Sequence, residues 1–422
     1  MKWNKPSWYL LPILMGLFQS SLIAATPKFI STTGLSTVEW SLLLSMPTLL
    51  FLLLSPQWGR WADRRGASYI IRFSALGLGT SILVLAIVWW SGVHRSFAPW
   101  LWFVTIGVSR VLYGISASGV MPLCQSLAIE DSEPSTAIKQ SAPKEGGGED
   151  NEPSKPKEDQ SLKRLGFVSA SLSIGRLCGP VVLILVASQL HWLLGIYSLL
   201  AVPLVWGVLR YSQMAPAVPK EADNTERANP VAIKELWLFF ALAFCITLLV
   251  GYLQFVLGPL YLDWLDDADA ATFMMSLTMT IVATTALLCQ LFLVKRLNWR
   301  SPKVLLALSS LLILATLALS LTQSPTWVAL TMVPIAMAIA LITPIYSRFA
   351  MSLSAASKGQ ISGKLAVAHT AGYPLGSLFA GLSYGQLSLW WLPMSIMAVV
   401  IFGLCAAVVW MAVSHSKEAF AT

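Results

Sequence analysis

The sequence predicts an all-α polytopic membrane protein, twelve transmembrane helices set out as two six-helix pseudo-repeats. Three observations predict it. The chain of 422 residues is 56% hydrophobic and only 11% charged, a balance that leaves too little polar surface for a water-soluble domain. Its apolar residues fall into about twelve runs, each near the ~20 residues that cross a bilayer as a helix. The second half can also be laid over the first with matching Pro and Gly positions.

The expected spans are 8–28, 38–57, 69–90, 98–125, 165–188 and 192–211, then 236–257, 272–294, 302–321, 327–347, 365–384 and 390–413. The first follows Lys2 and Lys5 and imitates a signal peptide, with Ala24-Ala25-Thr26 as a weak cleavage site. Because this span takes part in the internal repeat, it is expected to be retained. Orientation follows from the 28 Lys and Arg, since basic residues in short loops stay on the cytoplasmic side. With both termini cytoplasmic, only Lys28 and Arg95 face outward, while Arg64, Arg65, Arg164, Arg210, Lys295, Arg296, Arg300, Lys358 and Lys417 stay inside. The net charge of +8 is then what this bias produces, and it does not indicate a nucleic-acid partner. A bacterial inner membrane is the expected location, and a monomer the expected state.

Shifting the chain by 232 residues lays Pro27 on Pro259, and shifting by 222 lays Pro122 on Pro344. Past the next loop a shift of 197 lays Gly166, Gly175 and Gly179 on Gly363, Gly372 and Gly376. The change of shift measures the excess length of one loop, 131–163, which is rich in Glu, Lys, Ser, Pro and Gly and is expected to be disordered and cytoplasmic. Docking of a partner protein there is the alternative to a tolerated insertion. The domains expected are a bundle over 1–211, a linker over 212–235 with Pro216 and Pro219, and a second bundle over 236–422.

All five cysteines, Cys124, Cys178, Cys245, Cys289 and Cys405, lie inside apolar spans without CxxC spacing, which argues against disulfides and metal sites. No nucleotide loop, HExxH, GxSxG or dinucleotide fingerprint occurs. An enzyme is therefore not expected, and no cofactor. Any transport would draw on an ion or substrate gradient.

The loop Gly59-Arg60-Trp61-Ala62-Asp63-Arg64-Arg65-Gly66 resembles the signature loop that joins the second and third helices of major facilitator superfamily transporters. The resemblance implies that the glycines shape a tight turn and that Asp63 locks the two halves in the outward-facing state, near 361–364 at the start of the eleventh span. A basic loop that merely contains Gly and Asp is the alternative. Arg110, halfway along the fourth span and followed by Gly114, resembles the Arg-x-x-x-Gly motif of that family's cavity-lining fourth helix. This implies proton coupling or substrate binding; a guanidinium at mid-depth costs about 3 kcal/mol and normally faces a wet cavity. Gly175, Gly179 and Pro180 resemble the Gly-x-x-x-Gly-Pro motif of the superfamily's exporters, although Leu183 and Ile184 replace later glycines. Close helix packing without any directional role is the alternative reading.

Arg176 lies at about the depth of Arg110, and no Asp or Glu sits at mid-depth in any span. A cationic interior favours an anionic cargo, though Arg176 could equally pair with helix ends or lipid phosphate. Further polar groups at useful depth are Gln19, Tyr113, Gln254, His369 and Tyr373. His369 could carry a proton or simply be a hydrogen-bonded packing residue. The resemblance as a whole implies a secondary transporter that exports a small organic anion, such as a carboxylate siderophore, against protons as an antiporter. Multidrug efflux of neutral hydrophobic compounds, symport uptake of an anionic nutrient, and a transporter-like sensor or scaffold are the alternatives.

Overall fold

A computed structural model describes residues 7–130, 157–186, 188–214, 233–293, 296, 302–352, 358–384, 386 and 389–421. The described residues form helices: α1 (Leu10–Ala24), α2 (Thr26–Thr33), α3 (Thr37–Arg65), α4 (Ala67–Arg95), α5 (Pro99–Glu130), α6 (Lys157–Leu185), α7 (Leu190–Met214), α8 (Ile233–Leu265), α9 (Ala268–Leu288), α10 (Pro302–Ser320), α11 (Pro325–Ser352), α12 (Lys358–Ser383) and α13 (Leu392–Ala421). A π-helical turn over Cys289–Leu293 extends α9.

Local chemistry explains the boundaries. Pro27 has no N–H to continue a helix through it, so the expected first span breaks into α1 and α2, bent by 59°. Ser36 and Glu39 cap α3 reciprocally: the Glu39 amide donates to the Ser36 hydroxyl at 3.2 Å, and the Ser36 amide donates to the Glu39 carboxylate at 2.8 Å. Asp267 accepts from the Asp269 and Ala270 amides at the start of α9.

Two expectations are corrected. Residues 59–65 are not a turn: Gly59 lies inside α3, because nothing between it and Gly66 breaks a helix, and Gly66 alone, with φ of 83°, makes the turn. Helix α6 begins at Lys157, so the disorder expected over 131–163 does not hold for 157–163. The rest of that loop, and the linker between 214 and 233, lie outside the described residues. Of the expected spans, ten helices are apolar and long enough to cross a membrane, and the bent α1–α2 pair makes an eleventh. Helix α12 is the twelfth, a span made more polar by Lys358, Gln360, Ser362, Lys364, His369 and its glycines.

Packing follows the sequence repeat. Helix α1 packs on α6, α5 on α3 and α4, and α4 on α7; one half later α8 packs on α12, α11 on α9 and α10, and α10 on α13. The contacts between the halves repeat as well, α3 on α12 and α6 on α9. Lipid tails are as apolar as the helix surfaces, so helices associate through close van der Waals approach where small residues allow it. A side chain at Gly175 would strike the Ile13 carbonyl, and one at Gly376 the Leu248 carbonyl. Two of the glycine pairs related by the shift of 197, Gly175 with Gly372 and Gly179 with Gly376, thus form equivalent seams, α1 against α6 and α8 against α12.

Gly175→Leu and Gly376→Leu are each expected to destabilise the protein by about 1–3 kcal/mol through overpacking. Gly403→Leu, where an added Cβ meets nothing within 4 Å, should leave the thermal melt in detergent nearly unchanged.

Candidate functional site

A narrow cavity of about 10 Å³, room for about one water molecule, lies between the two halves. Gln19 and Ile23 reach it from α1, Leu44 from α3, Arg110 from α5, Gln254 and Phe255 from α8, and Tyr373 and Ser377 from α12. No Asp or Glu lines it.

Arg110 dominates its electrostatics. The side chain is 1% exposed, and its guanidinium lies 4.6 Å from the centre of the Tyr113 ring and 5.8 Å from that of Phe18. Aromatic faces stabilise a desolvated cation. Its Nε donates a long bond, 3.4 Å, to the Leu43 carbonyl. That carbonyl is available because its helical partner four residues on would be the amide of Pro47, which has no hydrogen. Gly114, one turn beyond Arg110, has no room for a side chain: an added Cβ would lie 2.9 Å from the Pro47 Cα. Its absence of bulk brings α5 against the proline kink.

Two buried polar atoms at the cavity have no hydrogen-bond partner, Arg110 Nη1 and Gln19 Oε1. One is a charged donor and the other an acceptor. Leaving either unmet costs about 1–3 kcal/mol, more for the charged group, so a ligand that supplies an anionic acceptor beside a hydrogen-bond donor would satisfy both.

Four expected residues, Gln19, Arg110, Gln254 and Tyr373, are brought together here. Tyr113 is fully buried behind Arg110, with its hydroxyl 3.4 Å from the Met15 carbonyl. Arg176 is exposed and lies outside the narrow part of the cavity, although its charge acts on Tyr113 and Tyr373. His369 does not line the cavity; its Nε2 is 2.6 Å from the buried Tyr346 hydroxyl on α11. Gly175, Gly179 and Pro180 sit on the α1–α6 seam rather than at the cavity. Ile23 and Ser377 were not singled out, yet each stands one helical turn past a singled-out residue, Gln19 and Tyr373. Leu44 and Phe255 carry no signal that separates them from other apolar residues.

One end of the cavity is sealed across the halves. Lys28 pairs with Asp269 at 2.5 Å, the Thr37 hydroxyl donates to the Gly381 carbonyl at 3.4 Å, and the Ser45 hydroxyl donates to the Pro374 carbonyl at 3.0 Å. At the other end Asp63 is exposed and has neither an ion pair nor a hydrogen bond among the described residues. Gly363, in the region where Asp63 was expected to dock, would meet nothing within 4 Å if given a Cβ.

The family model described as Major Facilitator Superfamily matches residues 8–377. No curated relative matches the chain. Among solved structures, the chain is similar to nucleoside transporter NupG, with a TM-score of 0.63 at 15% identity over 97% of this chain and 99% of that one. It is similar to peptide transporter POT in complex with sulfate, with a TM-score of 0.64 at 12% identity over 99% and 96%. The human organic anion transporter MFSD10 gives a TM-score of 0.59 at 16% identity over 95% and 100%. At these identities the likeness is one of fold alone.

A buried guanidinium without an ion-pair partner is a stability cost. Arg110→Met is expected to stabilise the empty protein by about 2 kcal/mol, read as a higher melting temperature in detergent.

Proposed function

The chain belongs to the major facilitator superfamily, a family of secondary transporters, and on that premise we propose that it exports a small organic anion, a carboxylate siderophore or metabolite, in exchange for protons. The observation that carries this reading is the buried Arg110, with Nη1 unpartnered in a cavity that no carboxylate lines. The unmet Gln19 Oε1 adds a donor to the specification, so a hydroxycarboxylate or a related acid with a neighbouring N–H or O–H fits best. Arg176, exposed beyond the narrow part, would draw the anion in from the vestibule.

Export is favoured by the Gly-x-x-x-Gly-Pro segment at Gly175–Pro180. If the basic α3–α4 connection faces the cytoplasm, as basic residues in short loops do, the sealed end with Lys28 and Asp269 faces outward. The state described is then the one that loads cargo from inside. Alternating access would proceed by rocking of the halves about the cavity, with Asp63 docking once the inner end closes. His369, hydrogen-bonded to Tyr346, is the titratable group assigned to proton coupling.

Efflux of neutral hydrophobic compounds is the second reading, favoured by the apolar walls Ile23, Leu44 and Phe255. Comparative metabolomics of culture medium from a deletion strain and its complemented parent, with and without iron, separates the two. A carboxylate lost from the medium and retained in the cells is the expected result. An unchanged medium together with new sensitivity to hydrophobic drugs would favour the second reading. In proteoliposomes, Arg110→Gln is expected to slow transport of that carboxylate by roughly tenfold to a hundredfold, the worth of one charge-assisted hydrogen bond, with Arg110→Lys in between.

A further inference from the structure

A second recess, about 430 Å³, lies where α3 ends and α4 begins, apart from the central cavity. Its lining is Trp58, Trp61, Arg64, Arg65, Ile70 and Phe73. Trp58 forms a fixed floor: it is 6% exposed, and its indole N–H donates to the Ser118 hydroxyl at 2.9 Å and the Ile115 carbonyl at 3.0 Å. Trp61 meets it edge-on, with ring centres 5.2 Å apart. Trp61 and Phe73 are 46% and 45% exposed, so the apolar wall opens sideways rather than into the protein. Arg64 and Arg65 at the rim are exposed and have no ion pair or hydrogen bond among the described residues. Their neighbour Arg72 is drawn off onto the Tyr69 and Phe73 rings, 3.6 and 4.8 Å from the ring centres, which leaves Arg64 and Arg65 as the free cations among the residues that line the recess.

We propose that this recess binds the headgroup of an anionic phospholipid, with the phosphate on Arg64 and Arg65 and the glycerol and upper acyl chain against Trp61 and Phe73. Aromatic rings and arginines at the ends of two apolar helices stand at headgroup depth. Each basic residue near an anionic membrane surface contributes enough to attract such lipids. A free phosphate would use the arginines but not the aromatic wall. The same segment carries Asp63, so an occupied recess holds that end of α3 in its present, undocked position.

Native mass spectrometry of the detergent-purified full chain tests this, with phosphatidylglycerol, phosphatidylcholine and soluble glycerol phosphate added in turn. Preferential retention of phosphatidylglycerol over phosphatidylcholine is expected, falling about fivefold for each arginine removed in Arg64→Gln and Arg65→Gln, the equivalent of about 1 kcal/mol per basic residue. Arg64→Lys with Arg65→Lys should keep most of the preference, and Trp61→Ala should weaken both lipids without changing it. Arg95→Gln, at the opposite end of α4, should have no effect. Equal retention of the two lipids, a preference that survives the double Gln substitution, or displacement of the lipid by glycerol phosphate would overturn the proposal.

Discussion

The approach of backbone to backbone along α1–α6 and α8–α12 is the constraint on which the rest of the structure depends. Within hydrocarbon no hydrophobic force draws apolar helices together, so contact distance and shape decide which helices pair. Gly16 faces the Leu172 carbonyl, and Gly179 the Leu17 carbonyl. These contacts fix the rotation of α1 about its own axis, and that rotation turns Gln19 and Ile23 toward the cavity. In the second half Gly251 abuts Tyr373, and the Ser377 hydroxyl donates to the Gly251 carbonyl at 3.2 Å. Tyr373 and Ser377 are thereby presented from α12 in the same way.

Prolines supply the second layer of control. A membrane helix must satisfy its own backbone, and an interior proline frees the carbonyl four residues earlier. Two of those carbonyls are taken up by side chains of a neighbouring helix. Pro47 frees Leu43 for Arg110, and Pro122 frees Ser118, which accepts from the Ser55 hydroxyl at 3.0 Å. The α3–α5 interface is thus tied in both directions, once by a proline on each helix.

Much of this was legible in the sequence, and the parts that were not have a common cause. Apolar runs and glycine spacing gave the spans, the repeat and the seam positions, because length and small side chains are what a bilayer selects. Depth was also legible, which is why Gln19, Arg110, Gln254 and Tyr373 converge. Facing was not. Helices apolar on all sides carry almost no amphipathic signal, so nothing in the sequence told His369, turned toward Tyr346, from Tyr373, turned toward the cavity. Arg176 shows the same ambiguity, since it is exposed and does not line the cavity that Arg110 does. The break at Ala25 and the helical course of 59–65 were missed because a single proline or glycine sets a boundary only through its local geometry, which spacing does not report.

The seal at the closed end has a consequence for the cost of opening it. Lys28 and Asp269 form the one ion pair among the described residues, and they are 22% and 48% exposed. Water and salt reduce such a pair to about 0–1 kcal/mol, and the companion bonds from Thr37 and Ser45 are ordinary neutral ones worth about 1 kcal/mol each. These polar contacts add only a few multiples of thermal energy to the packing of α3 on α12 and α6 on α9 that holds this end shut. A weak polar seal of this kind gives way on opening at little cost in ion-pair and hydrogen-bond energy.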